Sequence, residues 1–319
     1  MDVKMVKEIS SNILSNVSKV IIGKSKQIKL ILAAMYSRGH VLIEDIPGVG
    51  KTMLARAIAK SINGIFKRVQ ATPDLLPSDI IGVSIYNPET KKFEFKKGPI
   101  ISNILLVDEI NRATPKTQSA LLEAMGEIQL SIEGVTFSLP NPFIVLATQN
   151  PIEFEGTFPL PEAQMDRFII NISLGYPKPE EEVEILTSQK EIHPIETISY
   201  VVNTKDIVDV QEEVKKVYIE ESLKKYIVEI VNKTRNHPSL ILGASPRGSL
   251  SIFKISQAIA AINGRDYVIP EDIKSVIIPC LKHRLILKPE AKLKGVKAED
   301  ILNSILESTE VPIEEIKTQ

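Results

Sequence analysis

The chain has 319 residues, room for two packed units at about 150 residues each. Its 39 basic and 40 acidic residues nearly cancel, and 43% apolar against 25% charged residues is an ordinary folded balance, so a polyanion coat, an acidic tail and a disordered chain are excluded. One cysteine, Cys280, excludes an internal disulfide framework, and the longest apolar run, Leu30 to Tyr36, is too short to cross a bilayer.

In chain order, the opening MDVKMVKEIS has no signal-peptide core, and the expectation is a cytoplasmic protein without membrane insertion. Ser25 begins a helix with Ile28, Ile31, Leu32 and Met35 on one stripe. Five short apolar strands then alternate with helical segments: HVLIE (40–44), FKRVQ (66–70), ILLVD (104–108), FIVLATQ (143–149) and FIINISL (168–174). Continuous apolar strands between helices predict an α/β unit whose parallel sheet is covered by helices on both faces. Between them, 84–98 and 129–140 read as hairpins turning at Asn87-Pro88 and Glu133-Gly134. Thr114-Pro115 is an N-cap followed by proline at the first helical position. Pro177 and Pro179 in YPKPEEE mark a boundary, which divides the chain into units 1–176 and 177–319. Beyond it the pattern predicts a smaller all-helical unit of about four helices and no strands. Its apolar stripes include Leu223, Ile227, Ile230 and Val231, then Leu250, Phe253 and Ile255, then Ile273, Val276 and Ile277. The four histidines share no metal-ligand spacing, and Cys280 near His283 reads as a buried structural cysteine. The lysines between Lys282 and Lys297 read as a solvated face.

The strongest chemical signal is VLIEDIPGVGKTMLARAIAKSING, a buried strand running into a tight loop and then a helix, the context a P-loop requires. Gly48 and Gly50, flanked by Pro47 and Val49, let successive N–H groups turn inward on phosphate oxygens at a helix N-terminus. Lys51 then reaches the β and γ phosphates of ATP, Thr52 offers its hydroxyl to magnesium, and Met53 follows on the helix. The eight-residue form of the motif has glycine where this chain has Asp45; a carboxylate facing triphosphate would be repelled, so its side chain is expected to point away. ILLVDEINRA delivers Asp108 as a magnesium ligand and Glu109 as the general base that polarises the attacking water. FIVLATQNP ends in Asn150, whose amide can bridge the γ-phosphate and that water. Arg167 in PEAQMDRF and Arg247 in GASPRGSL carry guanidinium groups suited to triphosphate.

These residues resemble the AAA+ ATPases and, within them, the MoxR family. The likeness runs from about Ile21 to Arg284 and includes EDIPGVGKT, RVQATPDLLPSDIIG, LLVDEINRATPKTQSALLEAM, ATQNPIEFEGTFPLPEAQMDRF and GASPRG. It implies that Asn150 is sensor 1, that Arg167 is an arginine finger acting on a neighbouring subunit, and that Arg247 is sensor 2 in a helical lid. By the same resemblance Ile22 and Gly23, in VIIGKSKQ, cradle adenine, and the two hairpins face the central pore of a ring. It further implies a homo-oligomeric ring, a hexamer, that remodels a client protein together with von Willebrand factor A domain partners.

Two other functions fit parts of the chain. A nucleic-acid motor or loader, or a chelatase-type subunit, shares the chemistry, although near-neutral charge and the lack of a winged-helix or zinc segment leave nucleic acid without support. A nucleotide-gated scaffold would bind ATP without turnover, yet has no need of Glu109 or Arg167.

Overall fold

The computed structural model describes residues 1–132, 135–150, 157–188 and 193–312. Helices α1 (Val3–Ser18) and α2 (Ser25–Tyr36) precede strand β1 (His40–Glu44), and α3 (Lys51–Ser61) leads into β2 (Phe66–Gln70). A short α4 (Pro77–Ile81) opens a hairpin of β3 (Gly82–Asn87) and β4 (Lys92–Lys97). Then come β5 (Ile104–Asp108), α5 (Pro115–Glu127) and a second hairpin, β6 (Gln129–Ile132) with β7 (Val135–Ser138). Strand β8 (Ile144–Gln149), α6 (Glu162–Met165) and β9 (Phe168–Ile172) complete the sheet. Beyond it lie α7 (Pro179–Ser188), α8 (Pro194–Thr197), α9 (Thr204–Val214), α10 (Glu221–Arg235), β10 (Leu240–Leu242) and α11 (Pro246–Ile262). The described chain closes with α12 (Pro270–Leu281), β11 (Ile286–Leu287), α13 (Pro289–Leu293) and α14 (Ala298–Glu307).

The central sheet has the order β2-β5-β8-β1-β9, and every neighbouring pair is parallel. Alternation along each strand divides its side chains between two cores. Val41, Ile43, Leu106, Leu146 and Ile170 pack on one face with Ile13, Ile31 and Ile58 of the first three helices. Leu42, Leu105, Val145, Ala147 and Phe168 face the other way, onto Leu121, Leu122 and Met125 of α5. Sandwiched between helices, the inner strands have no solvated side, which is why they read as unbroken apolar runs. His40 is enclosed here: its Nε2–H donates to the Met125 carbonyl at 3.1 Å, and its Nδ1 accepts from Val145 N–H at 3.0 Å. Burial pushes its pKa down to about 4, so the ring is neutral at physiological pH.

The first core does not stop at Tyr176, for it takes in Ile207, Ile227, Ile255 and Ile277 from the helical part. A buried polar web reinforces this junction. The Arg284 guanidinium donates to Asp166 Oδ1 at 2.7 Å, to the Phe168 carbonyl at 2.7 Å, to Ser251 Oγ at 3.0 Å and to the Cys280 carbonyl. His283 Nε2 shares the Phe168 carbonyl at 3.0 Å, and Ser245 Oγ donates to Asp166 Oδ2 at 2.9 Å. Helices α11 and α12 are thereby tied to the start of β9. Cys280 is buried inside α12, and the lost hydration raises its thiol pKa to about 12, in keeping with a structural role.

The helical part departs from the sequence reading in three respects. It holds more helices than four, and it contains strands: β10 and β11 pair antiparallel, Leu240 opposite Leu287. Segments of three and two residues carry no periodicity of their own and form only because the fold brings them together. Leu250, placed on an apolar stripe by its spacing, is 55% exposed, whereas Ile255 and Ala258 of the same helix are buried. Arg167 stands in the turn between the four-residue α6 and β9.

Both hairpins form. In the first, Asn87 Oδ1 accepts from the Glu89 and Thr90 N–H groups, the turn expected of Asn87-Pro88. The Glu133-Gly134 turn lies outside the described residues. The hairpins meet where Phe95 stacks on Phe137, ring centroids 4.6 Å apart, while Tyr86 and Phe93 form an exposed edge-on pair.

Candidate active site

Strand β1 ends at Glu44, and the chain then curls through Gly48 and Gly50 at φ of +86° and +89° before entering α3. Only glycine adopts these angles cheaply, so the loop geometry and the helix N-terminus are set by local sequence. Lys51 folds back across the loop, and its Nζ donates to the carbonyls of Asp45 and Ile46 at 3.0 and 3.1 Å. Burial lowers the pKa of its ammonium, a shift opposed by the charges of Asp45, Asp108 and Glu109. The Asp45 carboxylate does point away, into the backbone N–H groups of Leu174 and Gly175.

The carboxyl ends of β5 and β8 face this loop. One hydroxyl organises them: Thr148 Oγ1 donates to Asp108 Oδ1 at 3.3 Å and accepts from the Glu109 N–H at 2.9 Å. Glu109 sits at φ +54°, an unusual angle for a residue with a side chain, and its carboxylate accepts from Gln70 Nε2 and Arg112 Nη1, both at 3.0 Å. Asp108 is buried and paired with Arg68 Nε at 2.6 Å. A cavity of about 350 Å³ brings together Pro47, Gly48, Gly50, Lys51, Thr52 and Met53 with Asp108, Glu109, Thr148 and Asn150. Val49 packs against the core instead.

Sequence reasoning missed Arg68 and Gln70, which line the same cavity. They project from β2, whose register sets Gln70 opposite Asp108. The signal was present, since FKRVQ is the one strand of the five with charged residues inside it, as suits an edge strand.

Besides Val49, four of the expected site residues lie outside this cavity. Arg167 and Arg247 line a second cavity, of about 420 Å³, with Arg38, His40, Gly126 and Lys254. His40 and Glu44 are opposite ends of β1, so the two cavities are separated by about 13 Å of strand rise. Arg167 Nη1 donates to the Leu122 carbonyl within α5, and a side chain on Gly126 would crowd it. Neither arginine reaches this chain's own P-loop. Ile22 and Gly23 also lie outside the phosphate cavity; Gly23, at φ +74°, passes directly beneath the Glu181 carboxylate.

The sequence from 40 to 170 matches the family model described as the ATPase family associated with various cellular activities (AAA), and 232–305 matches the AAA lid domain. The chain is 54% identical to protein YeaC of Bacillus subtilis over 94% of its own length and 93% of the relative's. It is 43% identical to chaperone MoxR1 of Mycobacterium tuberculosis, over 93% of this chain and 80% of that one. This chain belongs to the MoxR family of AAA ATPases. A crystal structure from Cytophaga hutchinsonii, 41% identical, superposes with a TM-score of 0.92 over 98% of this chain and 97% of that one. The MoxR-type architecture is therefore the five-stranded AAA core carrying a C-terminal helical lid. No helix among the described residues is long and apolar enough to cross a membrane.

Membership in an ATPase family implies ATP binding, which leads to a direct prediction for the P-loop of this MoxR-family chain. Lys51→Ala should abolish nucleotide binding and leave the melting temperature nearly unchanged, because Lys51 contacts loop carbonyls and no core side chain. Labelled-ATP titration beside a thermal melt checks it, and undiminished affinity would refute the assignment of the cavity.

Proposed function

We propose that this protein binds MgATP in the P-loop cavity, hydrolyses it, and assembles into a homo-oligomeric ring in which each active site is completed by a neighbour. The observation that carries the reading is the division of the catalytic set. Lys51, Thr52, Asp108, Glu109 and Asn150 converge at the carboxyl ends of the strands, whereas Arg167 and Arg247 share a cavity at the opposite end of β1. Two different surfaces of one chain that meet between neighbouring copies make a head-to-tail contact, which gives a ring where the rotation closes. A hexamer is the state the family resemblance supports.

In this scheme the loop amides and Lys51 hold the phosphates, and Glu109 takes a proton from the attacking water once it leaves Gln70 and Arg112. Asn150 orients that water, and the neighbour's two guanidinium groups stabilise the charge that develops on the γ-phosphate. The donor set fits magnesium: a hydroxyl and a buried carboxylate line the phosphate cavity, and among the described residues no cluster of three His, Cys, Asp or Glu forms a closed cage. Thr52 and Asp108 would hold the ion, which would supply neutralisation of phosphate charge when bound.

The use of hydrolysis is inferred from relatives. One is named a chaperone, and the family resemblance supports remodelling of a client protein, with a von Willebrand factor A domain adaptor. The first hairpin, with four lysines against two glutamates and an exposed Tyr86–Phe93 pair, is a surface suited to meeting such a partner. The test is phosphate release by the purified protein as magnesium is titrated, run beside sedimentation. Turnover that requires magnesium and appears together with rings supports the reading, and full turnover by monomer overturns the ring.

A further inference from the structure

Asp45 stands where the generic P-loop has glycine, and its carboxylate is almost fully buried. Oδ2 accepts from Leu174 N–H at 2.6 Å, Gly175 N–H at 2.8 Å and Ser173 Oγ at 3.2 Å, while Oδ1 accepts from Ile46 N–H at 3.1 Å. Gly175 lies in the left-handed region at φ +63°, the kind of turn in which successive N–H groups converge on one anion. The backbone carbonyl of Asp45 itself accepts from Lys51 Nζ at 3.0 Å. Segment 173–175 runs straight on to α7, and further bonds fasten that stretch: Lys24 Nζ donates to the Tyr176 carbonyl at 2.8 Å, and Lys178 N–H to Glu181 Oε2 at 2.9 Å. One residue thus touches the phosphate-binding lysine with its backbone and the exit from the sheet with its side chain.

We propose that Asp45 is a positioning residue that pins the phosphate loop to segment 173–175, so that nucleotide exchange in the loop and movement of α7 are coupled through its carboxylate. A glycine there would keep the loop's permitted backbone but leave the buried Leu174 N–H and the Gly175 N–H without their shared acceptor. The loop would still cradle phosphate while losing its fixed register against β9. This rests on the reading of the cavity as an ATP site.

The experiment compares native protein with Asp45→Gly, Asp45→Asn and Ser173→Ala. It measures ATP affinity, kcat and KM, and amide hydrogen exchange over 173–188 with and without ATP. For Asp45→Gly, kcat is expected to fall at least about tenfold with KM within about threefold of native, and the nucleotide-dependent change in protection at 173–188 to vanish. Asp45→Asn, which keeps an acceptor oxygen, should recover most of both. Ser173→Ala removes one donor and spares both amides, so it stays informative if the glycine variant does not fold; it is expected to lower kcat about two- to threefold. Native kinetics together with a native exchange response in both Asp45→Gly and Ser173→Ala would overturn the proposal. So would a rise in KM alone. Failure of the native chain to bind ATP would instead overturn the ATP-site reading.

Discussion

Glu109→Gln should bind MgATP as tightly as the native chain and hydrolyse it at least about 10²-fold more slowly, the lower range of what a positioned general base contributes. The substitution is close to isosteric. A glutamine Oε1 can still accept from Gln70 and Arg112, and the strained backbone at φ +54° is held by Thr148 through the N–H, which the substitution does not touch. What the amide cannot do is receive a proton from water. Binding and turnover should therefore separate, with equilibrium titration unchanged and single-turnover hydrolysis lost. Unchanged turnover would exclude Glu109 as the base, and loss of binding would mean that it contributes to the nucleotide site itself. A trapped ATP-bound state also makes this the variant with which to capture a client protein.

Arg167→Ala should cost on the order of 10³-fold in turnover while leaving ATP affinity intact, because an arginine finger acts on charge that develops in the transition state. Within its own chain Arg167 donates to the Leu122 carbonyl, so its removal should destabilise the fold by about 2 kcal/mol. Mixing provides the sharper test. In rings assembled from equal parts Arg167→Ala and Glu109→Gln chains, about a quarter of interfaces set an intact Glu109 against an intact Arg167. Activity should return when the two inactive proteins are mixed, in proportion to those interfaces. If mixed rings form and stay inactive, or if dilute monomer hydrolyses ATP as fast as the ring, Arg167 does not act across an interface.

Much of the fold was legible in the linear chain because its causes are local. Strands enclosed between helices must be apolar on both faces, so HVLIE, ILLVD and FIINI announced a parallel sheet. The P-loop was legible for the same reason, since Gly48 and Gly50 are needed for backbone angles that other residues adopt only at a cost. Residues following two adjacent strands then had to meet that loop, as Asp108, Glu109 and Asn150 do.

Where the chain gave no warning, the deciding contacts join residues distant in sequence. The alternation in FKRVQ shows that Arg68 and Gln70 share a face, but only the pairing of β2 with β5 sets them against Asp108 and Glu109. Arg284 is one more basic residue near a helix end until the packing of α12 on β9 buries it among carbonyls and pairs it with Asp166. The two-residue β11 exists because β10 is there to pair with it. Arg247 could be recognised as a guanidinium for phosphate, yet its position beside Arg167 depends on how α11 docks against the sheet. Backbone conformation and burial pattern are written residue by residue, so the sequence alone determined the sheet, the loop and the identity of the chemical groups. Which groups face one another, and at which end of β1, depends on long-range packing and strand register, and only the tertiary structure decided that.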